Sequence, residues 1–327
     1  MTLLLLSLPA FAAPDVRWLS TDRVAIGIAE DGSLGNREAD LGLLFDPDGP
    51  KGAMPVGGDV LAVGRVFEVW SLSATVDGQP WTRVQAAPDG DSDLRIEPGA
   101  MEAVEGLESW SGSGQDEAVS VDLWYSLPWG RPLVWMVLDI TAQVDLGDLS
   151  VTRVFDPDLD DWATGSTRTQ NEAGEGYVVA SGAYDGRAWA LAAQDGVGGI
   201  CSWCSSPDAV REGSTEREGD DQLGLTVAVG DLAAGQTARV VFAYGFGADV
   251  DSAVTVALEG AEEDPFGMES LDDGSTDDPG PAPDPEDLFG EDQPSPVEKP
   301  AVSRGCASQA GGSLLLALPG LLLRRRR

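Results

Sequence analysis

Short runs of Val, Leu, Trp and Thr, broken at intervals by Gly, Asp and Pro, dominate the chain from residue 14 to about 247. The runs Arg23–Ala29, Asp59–Val76, Ala118–Leu127, Pro132–Gln143, Leu149–Phe155, Gly176–Ser181, Arg187–Ala193, Gln222–Val229 and Thr237–Tyr244 read as strands. β-Branched and aromatic side chains suit a pleated, half-buried surface. Turn formers stand between them, among them Asp31-Gly32-Ser33, Asp77-Gly78, Asp89-Gly90 and Asp185-Gly186. No helical period of useful length precedes residue 251, where Asp251–Glu259 predicts a short helix capped by Asp251 or Ser252. Many strands at this spacing, with 41 glycines and no internal repeat, predict an all-β fold, one large antiparallel β-sandwich over residues 14–260.

One hairpin can be read residue by residue. With the turn Pro128-Trp129-Gly130-Arg131 centred between Trp129 and Gly130, Tyr125 faces Val134 and Leu123 faces Met136. Together with Val121 and Leu138 these form an apolar face. On the other face Trp124 lies opposite Trp135, with Asp122 and Asp139 on the same side. Two indoles beside carboxylates make a platform on which a sugar can stack, so Trp124, Trp135, Asp122 and Asp139 are the candidate binding residues. The competing reading is that this face is covered too, which would make both tryptophans core residues.

The ends differ from the body. Residues 1–12, an apolar run closing on Ala10-Phe11-Ala12, predict a signal peptide, although no Lys or Arg precedes the run. Residues 261–304 are dense in Asp, Glu and Pro and poor in large apolar side chains. Such a segment cannot bury enough surface to offset its ordering entropy, and it predicts a disordered acidic linker. Residues 305–327 hold Gly305-Cys306, the uncharged stretch Ala307–Leu323 and Arg324 to Arg327. Seventeen uncharged residues are about the minimum for a transmembrane helix, and the arginines favour a cytoplasmic end. This segment resembles the MYXO-CTERM sorting domain of myxobacterial exported proteins, with Pro319 as a slight departure. The resemblance implies processing next to Cys306 by a sorting protease, lipid attachment to that thiol and display on the outer cell surface. The partners it implies are the export machinery, that protease and a membrane reached through the tag.

Charge and composition narrow the chemistry. The chain carries 56 acidic against 20 basic residues and no histidine. So negative a body is repelled by a duplex or an anionic bilayer, which argues against nucleic-acid binding. The excess charge keeps the surface soluble or collects divalent cations. Without histidine there is no Ser-His-Asp triad, no Cys-His pair and no His-containing zinc site, so catalysis would run on carboxylates, Tyr, Lys or Arg. The strand pattern of the body is loosely similar to bacterial β-sandwiches of the supersandwich type. Sugar mutarotases on that fold use histidine, so their activity does not carry over.

Three further features are candidates for chemistry. Asp156, Asp158, Asp160 and Asp161 follow a strand and predict a structural calcium, although Asp161 and Thr167 stand where an EF-hand loop has Gly and Glu. Cys201 and Cys204 predict a small structural disulfide, since Cys306 belongs to the tag and no other zinc ligand is at hand. Carboxylates such as Glu68, Glu102, Asp122, Asp139 and Asp158 could pair for glycoside hydrolysis, but acidic residues are too many to single out two. The expected role is a non-enzymatic surface module, structural or carbohydrate-binding and calcium-stabilised. Its rival is a carbohydrate-active enzyme using paired carboxylates.

Overall fold

The structure, a computed structural model, describes residues 18–29, 32–35, 42–46, 61, 68–86, 92–104, 106–159, 168–184, 186–204, 206–263 and 265–266. The chain divides into units 1–270 and 271–327, and the described residues all fall in the first. The expected signal peptide, nearly all of the acidic linker, the tag with Cys306, and Asp160 and Asp161 lie outside them. Among the described residues, no helix is long and apolar enough to cross a membrane.

Antiparallel β-structure dominates, as the sequence pattern predicts. A small sheet holds β1 (Trp18–Ser20), β2 (Val24–Gly27) and β3 (Leu43–Phe45). A large, curled sheet comprises β4 (Glu68–Val76), β5 (Gln79–Ala86), β6 (Glu97–Val104), β7 (Leu107–Gln115), β8 (Val119–Pro128), β9 (Leu133–Ala142), β10 (Leu146–Phe155), β11 (Thr169–Gly182), β12 (Ala188–Cys201), β13 (Glu216–Gly219), β14 (Gln222–Leu232) and β15 (Thr237–Gly247). Its main path runs β5-β4-β10-β14-β12-β15-β9-β8-β7-β6, with β11 and β13 attached through β12.

β12 folds this sheet on itself. Its first half, Ala188–Ala192, pairs with β15, whereas Gly196–Cys201 pairs with β14. Between them Asp195 adopts a left-handed conformation (φ 55°), the kind of irregularity that lets one strand serve two layers. The two halves enclose one core, in which Trp70, Leu72 and Val151 on one side meet Leu123, Met136 and Phe242 on the other. β5, β6, β7 and β13 were not expected as strands. They are rich in Gly, Ser, Glu or Gln, and their pairing rather than their propensity makes them strands.

A polar network crosses the core. Glu68 of β4 pairs with Arg153 of β10, and both side chains are fully buried. The Arg153 guanidinium donates to the Tyr244 hydroxyl and, at 3.2 Å, to the Tyr125 hydroxyl. Tyr125 donates to the Gly32 carbonyl at 2.8 Å, and the Leu34 amide donates to Glu68 Oε2 at 2.8 Å. Four strands of the large sheet are thereby tied to the hairpin that carries Gly32 and Leu34. Gly32 is required there, since its φ is 79° and a Cβ would sit 2.7 Å from Leu123 Cδ2.

Two helices are present among the described residues, α1 (Pro207–Arg211) and α2 (Val250–Ala261). α2 is the expected C-terminal helix, but it starts one residue earlier, at Val250, and neither Asp251 nor Ser252 is the cap. Asp249 is its N-cap, in a reciprocal capping box with Ser252. Those hydrogen bonds from Ser252 hold the exposed Asp249 carboxyl below its ordinary range. α2 lies on the outer face of β9, β15 and β12, where Ala253 and Ala257 pack against Trp135, Ala190 and Ala243. A Cβ on Gly245 would meet Ala253 O at 2.4 Å, so the helix seats directly on bare backbone.

Breaking the buried pair on one side strands a charge, so Glu68→Leu is expected to cost about 3–5 kcal/mol in urea unfolding. The double variant Glu68→Leu/Arg153→Met should recover most of that loss. A single variant within about 1 kcal/mol of the wild type would show that the pair does not hold the layers together.

Candidate functional site

The outer face of the four strands β7, β8, β9 and β15 changes character along its length. At one end α2 covers it. At the other, successive cross-strand rows stay accessible: Gln115, Ser120, Thr141 and Thr237, then Ser113, Asp122, Asp139 and Arg239. Alternation along each strand places these side chains opposite the core-facing Val121, Leu123 and Ile140. The Thr141 and Thr237 hydroxyls are 2.7 Å apart, and Gln143 donates to Ser120 at 3.2 Å. The band therefore presents hydroxyl, amide, carboxylate and guanidinium groups together.

Its centre is a pair of like charges. Asp122 and Asp139 are direct cross-strand partners, an arrangement that ordinarily destabilises a sheet. Arg239 compensates one of them, with Nε and Nη2 each 2.7 Å from an Asp139 oxygen. Arg239 stands on the same row as Asp122 but makes its ion pair with Asp139. Partial burial, and secondarily the Asp139 charge, push its carboxyl above the ordinary range. Two carboxyl groups thus meet in different states of charge compensation, a condition that suits an acid and a nucleophile at one site. The sequence named both residues. It missed Arg239, although a lone charge in the apolar run of β15 is a readable signal.

The two tryptophans sit differently from the expected platform. Trp124 is opposite Val137, and Trp135 is opposite Ser126. The loop is centred between Gly130 and Arg131, with Gly130 at φ 78°, so the register moves by two residues and the faces are preserved. Trp135 is 5% exposed and its indole N–H donates to Gly260 O at 2.8 Å, under the end of α2. Trp124 is half-buried, next to Asp122 on the same face, and meets Phe266 at a centroid distance of 5.7 Å and a tilt of 53°. The segment leading to Phe266 is held by Arg131, whose guanidinium donates to both Glu263 oxygens at 2.6 and 3.1 Å. With these side chains 36% and 45% exposed, that ion pair contributes at most about 1 kcal/mol. The aromatic contact adds about 0.5–1.5 kcal/mol.

Two other sequence candidates lie elsewhere. Asp156 and Asp158 are buried just beyond β10, and each offers an oxygen within 4.8 Å of the other and of Asp220, which comes from the turn before β14. Asp220 escaped the sequence reading because it lies some sixty positions away in a chain full of aspartates. Cys201 and Cys204 form a disulfide with Cα atoms 5.4 Å apart, at the end of β12.

No protein-family model matches the chain, and no curated protein does. Solved structures are similar in shape. An α-mannosidase from Enterococcus faecalis gives a TM-score of 0.40 at 9% identity, covering 72% of this chain and 30% of that one. A polysaccharide lyase gives 0.41 at 13%, covering 74% and 35%. The heparan sulfate lyase of Pedobacter heparinus gives 0.35 at 8%, covering 73% and 38%. This chain thus spans about a third of the length of each. The expectation of a non-enzymatic module is not upheld, since the solved structures similar in shape bear the names of carbohydrate-active enzymes. At TM-scores below 0.5 they transfer neither a substrate nor a residue.

Because the folded protein raises the Asp122 pKa, ionisation of that group weakens the fold as pH rises through it. Asp122→Asn is therefore expected to raise the melting temperature by about 1–3 °C at pH 7, from relief of a like-charge pair. The gain should fade below the range in which Asp122 takes up its proton. An Asn variant that melts lower than the wild type at pH 7 contradicts this.

Proposed function

We propose that this chain is an exported, surface-held carbohydrate-active enzyme that cleaves glycosidic bonds with Asp122 and Asp139. The observation that carries the reading is the cross-strand carboxylate pair itself, accessible on the outer face and unequally compensated. Side chains directly opposite in a sheet have Cβ atoms about 4.5–5.5 Å apart, close to the roughly 5–5.5 Å that separates the carboxyl groups of retaining glycosidases. Asp122, whose carboxyl is pushed upward by partial burial and by the Asp139 charge, is the acid that protonates the leaving oxygen. Asp139 is the nucleophile, aligned by Arg239. The absence of histidine is no obstacle to this chemistry. With a net charge of −36, the protein repels polyuronate and sulfated chains, so its substrates are uncharged glycans.

The remaining expectations attach to this reading. Residues 1–12 direct export, residues 261–304 form the spacer, and residues 305–327 are the sorting tag processed at Cys306. Asp156, Asp158 and Asp220 form the oxygen donor set for a structural calcium, a hard cation that takes carboxylate, carbonyl and water ligands.

Reducing-end release from a panel of neutral polysaccharides tests the activity. Asp122→Asn and Asp139→Asn should each lower kcat by about 10²–10⁴. An aryl glycoside with a good leaving group should restore the first variant and not the second. Cleavage of no glycan, or wild-type rates in either variant, would rule out this assignment. Calcium is expected to raise the melting temperature on the order of 5 °C over chelator, and Asp158→Asn to abolish the shift. Identical melts in calcium and chelator would remove the cation.

A further inference from the structure

The row that carries Asp122 and Asp139 is closed along one edge and open along the other. Toward α2 the next row is Trp124, Val137 and Val241, which pack with the cluster beneath the helix, Val137 fully buried. Away from α2 the next row is Gln115, Ser120, Thr141 and Thr237, with Gln115 and Thr237 exposed and the other two half-buried. Side chains two positions apart along a strand share a face at a spacing of about 6.6 Å. A sugar ring that reaches both carboxyl groups therefore extends over the open row and is turned away from the closed one. The open row suits hydroxyl groups. The Thr141 and Thr237 hydroxyls lie 2.7 Å apart, so one proton is shared between them while one proton and three lone pairs remain for a ligand. Such a pair donates and accepts side by side, as neighbouring hydroxyls of a sugar do. Arg239, which aligns Asp139, stands two positions from Thr237 on β15.

We propose that Thr141 and Thr237 are the specificity-determining residues that hold the sugar being cleaved, and that the glycan crosses the strands with its departing portion over β7. This rests on the reading of Asp122 as acid and Asp139 as nucleophile. In the first step an Asp139 oxygen bonds to the anomeric carbon, the glycosidic C–O bond breaks, and the Asp122 proton goes to the departing oxygen. Water then attacks the glycosyl–Asp139 ester, gives its proton to Asp122 and releases the sugar, with Asp139 again a carboxylate. Displacement in line puts the anomeric carbon between the two carboxyl groups and the departing oxygen on the Asp122 side. The order of the strands then fixes the direction of the chain. The retained sugar lies on the side of β9 and β15, beside Thr141, Thr237 and Arg239, and the departing portion runs over β8 and β7, past Ser113 and Gln115. Neighbouring strands are about 4.8 Å apart, so the face from β7 to β15 spans about 14 Å, with room on both sides of the bond.

Maltohexaose, cellohexaose and mannohexaose, each with its matching 4-nitrophenyl monoglycoside, serve as uncharged substrates for the full chain. Thr141→Val and Thr237→Val keep the side-chain shape and remove a hydroxyl. Each should lower kcat/KM about three- to tenfold, on the hexaose and on the aryl glycoside alike. Thr141→Ser, which returns the hydroxyl, should recover most of that loss. Gln115→Ala lies on the departing side and should lower the hexaose rate about threefold or more relative to the aryl glycoside. In the Asp139→Asn background, calorimetry should show the hexaose bound about three- to tenfold more weakly by either threonine variant. Equal losses on both substrates in Gln115→Ala, with losses confined to the hexaose in the threonine variants, would reverse the direction and overturn the proposal. Cleavage that needs Asp122 and Asp139 but keeps its wild-type kcat/KM in both threonine variants would defeat the subsite alone. Threonine-dependent binding of a hexaose without cleavage of any would defeat the catalytic assignment and the direction with it, leaving the row as a glycan-binding strip. Neither binding nor cleavage of any of the three overturns both.

Discussion

The buried pairing of Glu68 with Arg153, bracketed by Tyr125 and Tyr244, is the constraint on which the architecture turns. It draws one residue from each of four strands and reaches the hairpin at Gly32 and Leu34. Such a pair contributes little net stability, because desolvation offsets attraction. What it imposes is uniqueness. A guanidinium in the core can be satisfied only when both layers and the small sheet are in place, so alternative packings leave a buried charge without its partners. Burial raises the Tyr244 hydroxyl above its ordinary range, with Arg153 pulling the other way, so the phenol stays protonated and available as a hydrogen-bond partner.

With the interior committed in this way, chemistry is left to the outer face. There one sheet surface is divided in two by a helix. Small residues on both sides, Ala253 and Ala257 against Ala190, Ala243 and Gly245, allow α2 to sit close enough to exclude water from Trp135. Beyond the end of α2 the same face carries Asp122 exposed, with Asp139 and Arg239 part-buried beside it. Trp124 lies at the border between the dry and wet regions, where it and Phe266 pack against the cluster that α2 covers.

Much of this was legible in the chain. The apolar face of β8 and β9 is buried as alternation predicts, and the two carboxylates share the opposite face. The disulfide follows from two close cysteines with no other partner. The misreadings have physical causes. The hairpin register slipped by two residues because the centre of a four-residue loop depends on where Gly130 takes its left-handed turn, a matter of backbone geometry rather than composition. β5, β6, β7 and β13 were unreadable because their sequences are polar and become strands through partners. Asp220 belongs to its site through a contact spanning some sixty positions, for which one sequence holds no local signal; Arg239 stands out as a charge in an apolar run, but its partner a hundred positions away does not.

What the sequence determined by itself was therefore what depends on near neighbours: strand alternation, the antiparallel class, the C-terminal helix, the absence of imidazole chemistry and the sign of the surface field. Tertiary structure alone decided which of many carboxylates stand together, which tryptophan is covered, and which charge receives a partner. The reason is the range of the interactions. Alternation and capping act over two to four residues along the chain, whereas the state of a carboxyl group depends on burial and charges brought to it from other strands.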